Sequence, residues 1–352
     1  MNIREILQKS VEEHASDVFI VAGLPISIRK NNKIENVGDT RLLPEDTSQF
    51  LHEIYTLAGS RDMEQLKTCG DDDFSFAIPG LSRFRVSAYK QRGTLSAVIR
   101  IINFNLPHPD DLGIPESIMS LAESNNGMVL VTGPAGSGKS TTLACIIDRI
   151  NKTQKKHIIT LEDPLEHLHK HQSSIVSQRE VNVDTDDYVT ALRAALRQSP
   201  DVILLGEMRD YETISVAMTA AETGHLLFST LHTIGAANTI DRIIDVFPAN
   251  QQRQVAVQLS MALNSVISQQ LVPTVDGEIV PAFEVMTVTP AIRNMIRSDK
   301  VPQIEGLIYS SQTPDMISMD QSLLKLYKEG RITRNTALIY STNPEMLGKK
   351  LG

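Results

Sequence analysis

The apolar positions of this chain change their period about a third of the way along, and that change divides it. Ile3, Ile6, Leu7 and Val11 recur at helical spacing, and Val18 to Val21 then reads as a strand. Ile26 to Arg29 and Lys33 to Val37 flank Asn31-Asn32, a pair suited to a hairpin turn. Pro44 opens a helix with Phe50, Leu51, Ile54 and Leu57 on its apolar side. Phe74 to Ile78, Arg83 to Tyr89 and Leu95 to Ile102 fit three more strands, so residues 1–102 read as a small α+β domain. From Asn103 to Pro115 the text becomes N-F-N-L-P-H-P-D-D-L-G-I-P, whose prolines cannot sit inside regular elements. A linker is expected over 103–115.

Beyond Gly127 the pattern is different. Apolar runs at Met128 to Thr132, Ile158 to Leu161, Val202 to Leu205 and Leu226 to Thr230 alternate with helical stretches, which predicts an α/β sheet covered on both faces. After Gln251 the chain reads as mainly helical, with a hairpin about Asp276-Gly277 and helices near 289–297, 302–309, 319–329 and 333–341. The fold class is therefore α/β, with a second domain over 116–352.

Composition narrows the function classes. At 352 residues and 41% hydrophobic the chain can bury a sizeable core, and two domains are the default. No apolar run nears the ~20 residues of a bilayer span, and residues 1–10 lack the apolar core of a signal peptide, so a cytoplasmic protein is expected. Cys69 and Cys145 form no C-x-x-C pair, which points to reduced thiols rather than a disulfide framework or cysteine zinc site. A net charge of −8 is the wrong sign for holding nucleic acid by overall field, and no direct nucleic-acid binding is expected.

The strongest chemical signal is G-P-A-G-S-G-K-S-T over Gly133, Pro134, Ala135, Gly136, Ser137, Gly138, Lys139, Ser140 and Thr141. It matches G-x-x-x-x-G-K-[ST] between a strand and a helical run, as a phosphate-binding loop requires. Glycines let backbone N–H groups turn toward phosphates, Lys139 supplies a positive charge, and the Ser140 hydroxyl suits magnesium.

Acids follow at two other strand ends. Glu207, after Val202 to Leu205, is placed to hold magnesium directly or through water; alternatively it caps the helix that follows, a role open to Asp210 as well. Glu162, after Ile158 to Leu161, is placed to orient or deprotonate water, and equally reads as solvated turn chemistry. His232, after the fourth strand, reads as a γ-phosphate sensor or as a satisfied polar residue. His167, His169 and His171 invite a metal site, but their polar surroundings read as exposed surface. Arg83, Arg85, Arg92 and Arg100 cluster in the first domain, with three readings open: a solvated edge, ion pairs with the aspartates at 71–73, or arginine fingers for a neighbouring subunit's nucleotide.

Further segments carry a family resemblance. A-S-D at Ala15 to Asp17, R-F-R-V at Arg83 to Val86, I-T-L-E-D-P-L-E ending at Glu166, G-E-M-R-D at Gly206 to Asp210, T-G-H-L-L-F-S-T-L-H-T at Thr223 to Thr233 and A-I-R-N-M-I-R at Ala291 to Arg297 join the phosphate loop. Together they resemble the secretion-type ATPases of type IV pili and type II secretion, most closely the branch that retracts pili. The resemblance implies a PAS-like N-terminal domain, a RecA-like ATPase domain and a homohexameric ring binding ATP and Mg2+ between the two domains. It carries Glu162 over as the catalytic glutamate, Glu207 as the Walker B acid, Arg85 and Arg100 as the phosphate-facing arginines, and His225 and His232 as the histidine box. It further implies docking at the inner face of the cell membrane on a pilus platform protein, and through it action on pilin. Phe19, Ala135 and Ser298 depart from the family's usual histidine, threonine and glutamate.

Two features favour retraction over the assembly and secretion motors of the same family: no long N-terminal extension precedes the motifs, and no four-cysteine insertion interrupts them. A nucleic-acid motor would share the core but lacks support from an aromatic-basic tract. A non-enzymatic nucleotide switch would want N-K-x-D, and Asn151-Lys152-Thr153-Gln154 lacks the aspartate.

Overall fold

The two periodicities resolve into two sheets. The computed structural model describes residues 2–30, 33–102, 106–311 and 313–351, and the chain divides into two compact units, Met1–Asn105 and Leu106–Gly352. The Asn31-Asn32 turn and residues 103–105 of the expected linker lie outside the described residues.

The first unit is an antiparallel sheet in the order β3-β2-β1-β6-β5-β4, built from β1 (Asp17–Ile20), β2 (Ser27–Lys30), β3 (Lys33–Asn36), β4 (Asp71–Ile78), β5 (Ser82–Gln91) and β6 (Thr94–Ile102). Alternation sets its faces: Val18, Ile20, Phe84, Val86 and Ile99 point into a core shared with Leu51 and Ile54 of the helix Pro44–Leu57. A short helix, Glu64–Cys69, had no clear apolar stripe to betray it. On the opposite face the register aligns Arg29, Asp17, Arg100 and Arg85 across four strands. Asp17 takes Arg100 Nε at 3.3 Å and lies 3.7 Å from Arg29 Nη1, so the acid of this row is Asp17.

The aspartates at 71–73 do not pair with the arginines of this row. Asp71 and Asp73 are exposed, and Asp72 is buried against Arg61, accepting from its Nε at 3.1 Å and Nη2 at 2.9 Å and from Tyr55 Oη at 2.8 Å.

The second unit is an eight-stranded sheet in the order β14-β13-β12-β7-β11-β10-β8-β9. Its strands are β7 (Gly127–Thr132), β8 (His157–Glu162), β9 (Ile175–Glu180), β10 (Val202–Leu205), β11 (Leu226–Leu231), β12 (Leu263–Pro273), β13 (Ile279–Thr287) and β14 (Met316–Ile317). From β12 to β9 all neighbours are parallel, whereas β13 and β14 add antiparallel. One face packs the helices Tyr211–Glu222, Ala236–Asp245 and Ala249–Ala262, and the other packs Lys139–Thr153, so β7 is apolar on both sides.

The stretch after Gln251 carries the expected helices, Pro290–Arg297, Gln303–Ser310, Met319–Lys328 and Arg334–Ile339, and the expected hairpin about Asp276-Gly277; what the pattern missed is the length of β12, which pairs directly with β7 before the hairpin joins it to β13. Polar Ser265, Ser268, Gln269 and Gln270 masked it as a buried strand. The latter part of the expected linker is also core material, since Ile114 is buried with Leu112 packed beside the second unit's core. Among the described residues no helix is long and apolar enough to cross a membrane.

Replacing Asp72 by Asn leaves Arg61 and Tyr55 without their charged acceptor, and should lower stability by ~1–3 kcal/mol, discounted because Arg61 is 39% exposed. Denaturant melts of wild type and Asp72→Asn measure it.

Candidate active site

Parallel strands β7, β8, β10 and β11 end at one edge of the sheet, so whatever follows each of them is gathered there. The loop after β7 leads into the helix Lys139–Thr153, and Gly133 adopts a φ of +139°, a conformation that side chains rarely tolerate. Ala135 to Thr141, Glu162, Glu207 and His232 line a cavity of about 430 Å³ at this edge. Gly133 and Pro134 complete the loop, and their carbonyls each accept from Lys139 Nζ at 2.9 Å. Arg85 and Arg100 stand directly opposite one another in the first unit's sheet.

The charged groups of the cavity have distinct environments. Burial lowers the Lys139 ammonium below its ordinary value, with the Glu166 and Glu207 carboxylates opposing that shift. Burial pushes the Glu162 carboxyl up to about 7, against hydrogen bonds from Gln178 and the backbone of Glu166. Glu207, with its side chain 12% exposed, has one oxygen paired with Arg209 and the other 3.5 Å from His232 Nε2. The helix-capping role falls to Asp210, whose carboxylate accepts from Thr213 N at 2.9 Å, leaving Glu207 facing the cavity.

The histidines separate. His232 faces the cavity, whereas His225 precedes β11, at the far end of that strand, and its Nδ1 bonds the Ala220 carbonyl at 2.9 Å. The surface reading of the His167 cluster needs correction for two of its members: His167 and His169 are half-buried, and burial lowers both, His169 to about 4. His167 Nε2 lies 3.3 Å from Thr141 Oγ1, and Gln178 on β9 joins the His167 carbonyl, the His169 amide and Glu162 Oε1 at 2.9, 2.8 and 3.5 Å. The polar edge strand β9 thus braces the acidic loop.

Tyr188, Arg209, Glu166 and Thr230 also line the cavity, and the sequence reading did not select them. Arg209 and Glu166 sat inside motifs already recognised. Tyr188 belongs to the helix Tyr188–Ala195 and had no local signal; burial, followed by Asp163, Glu207 and Glu162, raises its phenol above the ordinary value.

Residues 1–322 match the profile of the type II/IV secretion system protein family. The chain belongs to that family. Among its relatives is the type IV pilus retraction ATPase PilT of Pseudomonas aeruginosa, 44% identical over 345 residues, covering 98% of this chain and 99% of that protein. A twitching motility protein of Neisseria gonorrhoeae is 49% identical over 276 residues, 78% of this chain and 74% of its own length. A crystal structure of the pilus retraction motor PilT with bound ADP superposes with a TM-score of 0.90 at 45% identity, covering 99% of both chains.

A magnesium ion prefers oxygen donors and keeps several water and phosphate ligands rather than an all-protein cage. The family chain's cavity suits that preference, with the Ser140 hydroxyl and Glu207 carboxylate on its wall. Among the described residues no group of three or more His, Cys, Asp or Glu is arranged to hold a metal by itself.

The raised Glu162 pKa has a definite sign. The folded state holds this proton between about pH 4.5 and 7 while the unfolded chain does not, so its contribution to stability is lost as pH rises through that window. Glu162→Gln should therefore be more stable than wild type at pH 8, by something on the order of 1–3 kcal/mol, with the gap closing toward pH 4.5. Paired denaturant melts across that range measure it.

Proposed function

We propose that this chain is an ATP-hydrolysing motor that powers retraction of type IV pili, working as a homohexameric ring. The observation that carries this reading is the full-length likeness to the ADP-bound retraction motor, on a chain whose phosphate loop and carboxylates converge on one cavity. The first unit is the PAS-like domain and the second the RecA-like ATPase domain.

Backbone amides of Gly133 to Thr141 cradle the phosphates, and Lys139 exchanges its two carbonyl partners for phosphate oxygens. Glu162 orients the attacking water and accepts its proton, a task for which a carboxyl near pKa 7 is well matched. Ser140 and Glu207 would hold Mg2+, which when bound neutralises charge on the phosphates. His232, tethered near Glu207, is placed to report the γ-phosphate. Arg85 and Arg100 supply the cationic group that stabilises transferring phosphate, a part worth roughly 10³–10⁵ in rate where it has been dissected in other NTPases. The ring docks at the inner face of the membrane on the pilus platform protein and draws pilin subunits out of the filament through it.

Lys139→Ala should abolish ATP turnover while keeping the fold, and normal turnover would remove the site assignment. Glu162→Gln should keep nucleotide affinity and cut turnover by roughly 10²–10⁴, flattening a wild-type kcat/KM profile that rises through pH 7. In the cell, deletion of the gene should give hyperpiliated, non-retracting bacteria; bald bacteria would instead indicate an assembly motor.

A further inference from the structure

Gln269 places an amide in the middle of a buried strand, where it costs free energy unless hydrogen-bonded. The parallel ladder pairs Ile267 with Val131 and Ser268 with Thr132, which brings residue 269 level with the first residue of the phosphate loop. Its backbone carbonyl lies 2.1 Å from where a Cβ on Gly133 would stand, so sterics as well as φ restrict that position to glycine. The side chain then reaches the far end of the loop. Its Oε1 accepts from Thr142 Oγ1 at 2.8 Å, and its Nε2 lies 2.9 Å from a Cβ built on Gly138. Gln269 and Thr142 are 3% and 1% exposed, and with Gly138 and Thr141 they line a second cavity of about 320 Å³ beside the loop.

Alternation along β12 gives its neighbour a parallel task. Ser268 faces the other layer, where its Oγ accepts from Gly235 N at 2.9 Å, and its cross-strand partner Glu284 accepts from Ala236 N at 2.8 Å. These bonds hold the start of the helix that follows His232. Consecutive residues of one strand therefore fix both the loop after β7 and the loop after β11.

We propose that Gln269 is a positioning residue for the phosphate loop, holding Gly133, Gly138 and the first turn of the Lys139–Thr153 helix in the arrangement that accepts nucleotide phosphates. This rests on the reading of that loop as the ATP site. Gln269 is absent from the wall of the cavity that holds Glu162 and Glu207, and in this proposal it acts through the loop, so its removal should weaken binding rather than chemistry.

The test compares full-length wild type with Gln269→Leu, Thr142→Val, the double variant and Thr142→Ser, measuring ADP Kd, ATP KM, kcat and the denaturation midpoint. Gln269→Leu and Thr142→Val should each raise ADP Kd and ATP KM about tenfold, equivalent to about 1.4 kcal/mol, with the loss falling on KM and Kd rather than on kcat. The double variant should be no weaker than either single one, because both remove the same bond, and Thr142→Ser should recover to within about twofold of wild type. Losses that add in the double variant overturn the proposal, as does ADP binding by Gln269→Leu within about twofold of wild type. Should Gln269→Leu not fold, the Thr142 pair decides: weak binding by the valine variant with recovery by the serine variant supports the proposal, and equal binding by the two overturns it. Failure of the underlying ATP reading looks different, since wild type itself would then bind no ADP.

Discussion

The parallel register of β12, β7, β11, β10 and β8 is the constraint on which the rest of this molecule depends. Parallel strands bring their carboxyl ends to one edge, and each strand here carries a different chemical group past that edge. Covering both faces with helices makes the strands uniformly apolar, which is why β7 and β11 are buried almost throughout. Their polar chemistry is thereby pushed into the loops. Thr230 Oγ1 donates to the Gly206 carbonyl at 2.6 Å and Gly206 N donates to the Leu161 carbonyl at 2.8 Å, so three strand ends are tied beyond the ladder itself. The cavity inherits its rigidity from these ties.

Two carboxylates at the ends of neighbouring strands, β8 and β10, sit in different surroundings. Glu207 has one oxygen on the Arg209 guanidinium and the other 3.5 Å from His232 Nε2. Glu162 has neither. Its surroundings give it amide donors from Gln178 and Glu166 but no cation among the causes of its shift, and desolvation wins, raising it toward neutrality. Lys139 completes the contrast: a buried ammonium is tolerable because two carbonyls of its own loop accept from it, and phosphate oxygens can replace both.

Much of this was legible because the informative residues obey local rules. The strand Val202 to Leu205 and the phosphate loop are written in continuous apolar letters and glycines, and the hairpin at Asp276-Gly277 in turn chemistry. What escaped is where tertiary context overrides the local pattern. Gln269 and Ser268 make β12 look too polar for a strand beside the central one, yet Gln269 Oε1 and the Ser268 hydroxyl take partners that only the fold brings near, Thr142 and Gly235. Tyr188 enters the cavity from a helix of its own, with no spacing to mark it. The histidines at 167 and 169 read as solvated because their neighbours in sequence are polar, whereas β9 and the phosphate-loop helix cover them in space.

The arginine row of the first unit follows the same logic of a local rule broken. Like charges directly opposite one another destabilise a sheet, and Arg85 stands directly opposite Arg100. Asp17 offsets part of that repulsion, but it serves Arg29 and Arg100 together, so three guanidinium groups on one face share a single carboxylate. The remaining positive charge is conspicuous on a chain of net charge −8, and Arg100 keeps its side chain 65% exposed rather than folding it into the sheet. A sheet that needed only stability would place a neutral or acidic residue opposite Arg85. Departures of this kind, costly locally and only partly repaid by Asp17 and by the Arg29 guanidinium lying 5.2 Å from the Phe19 ring centroid, are expected where a surface serves a function beyond stability.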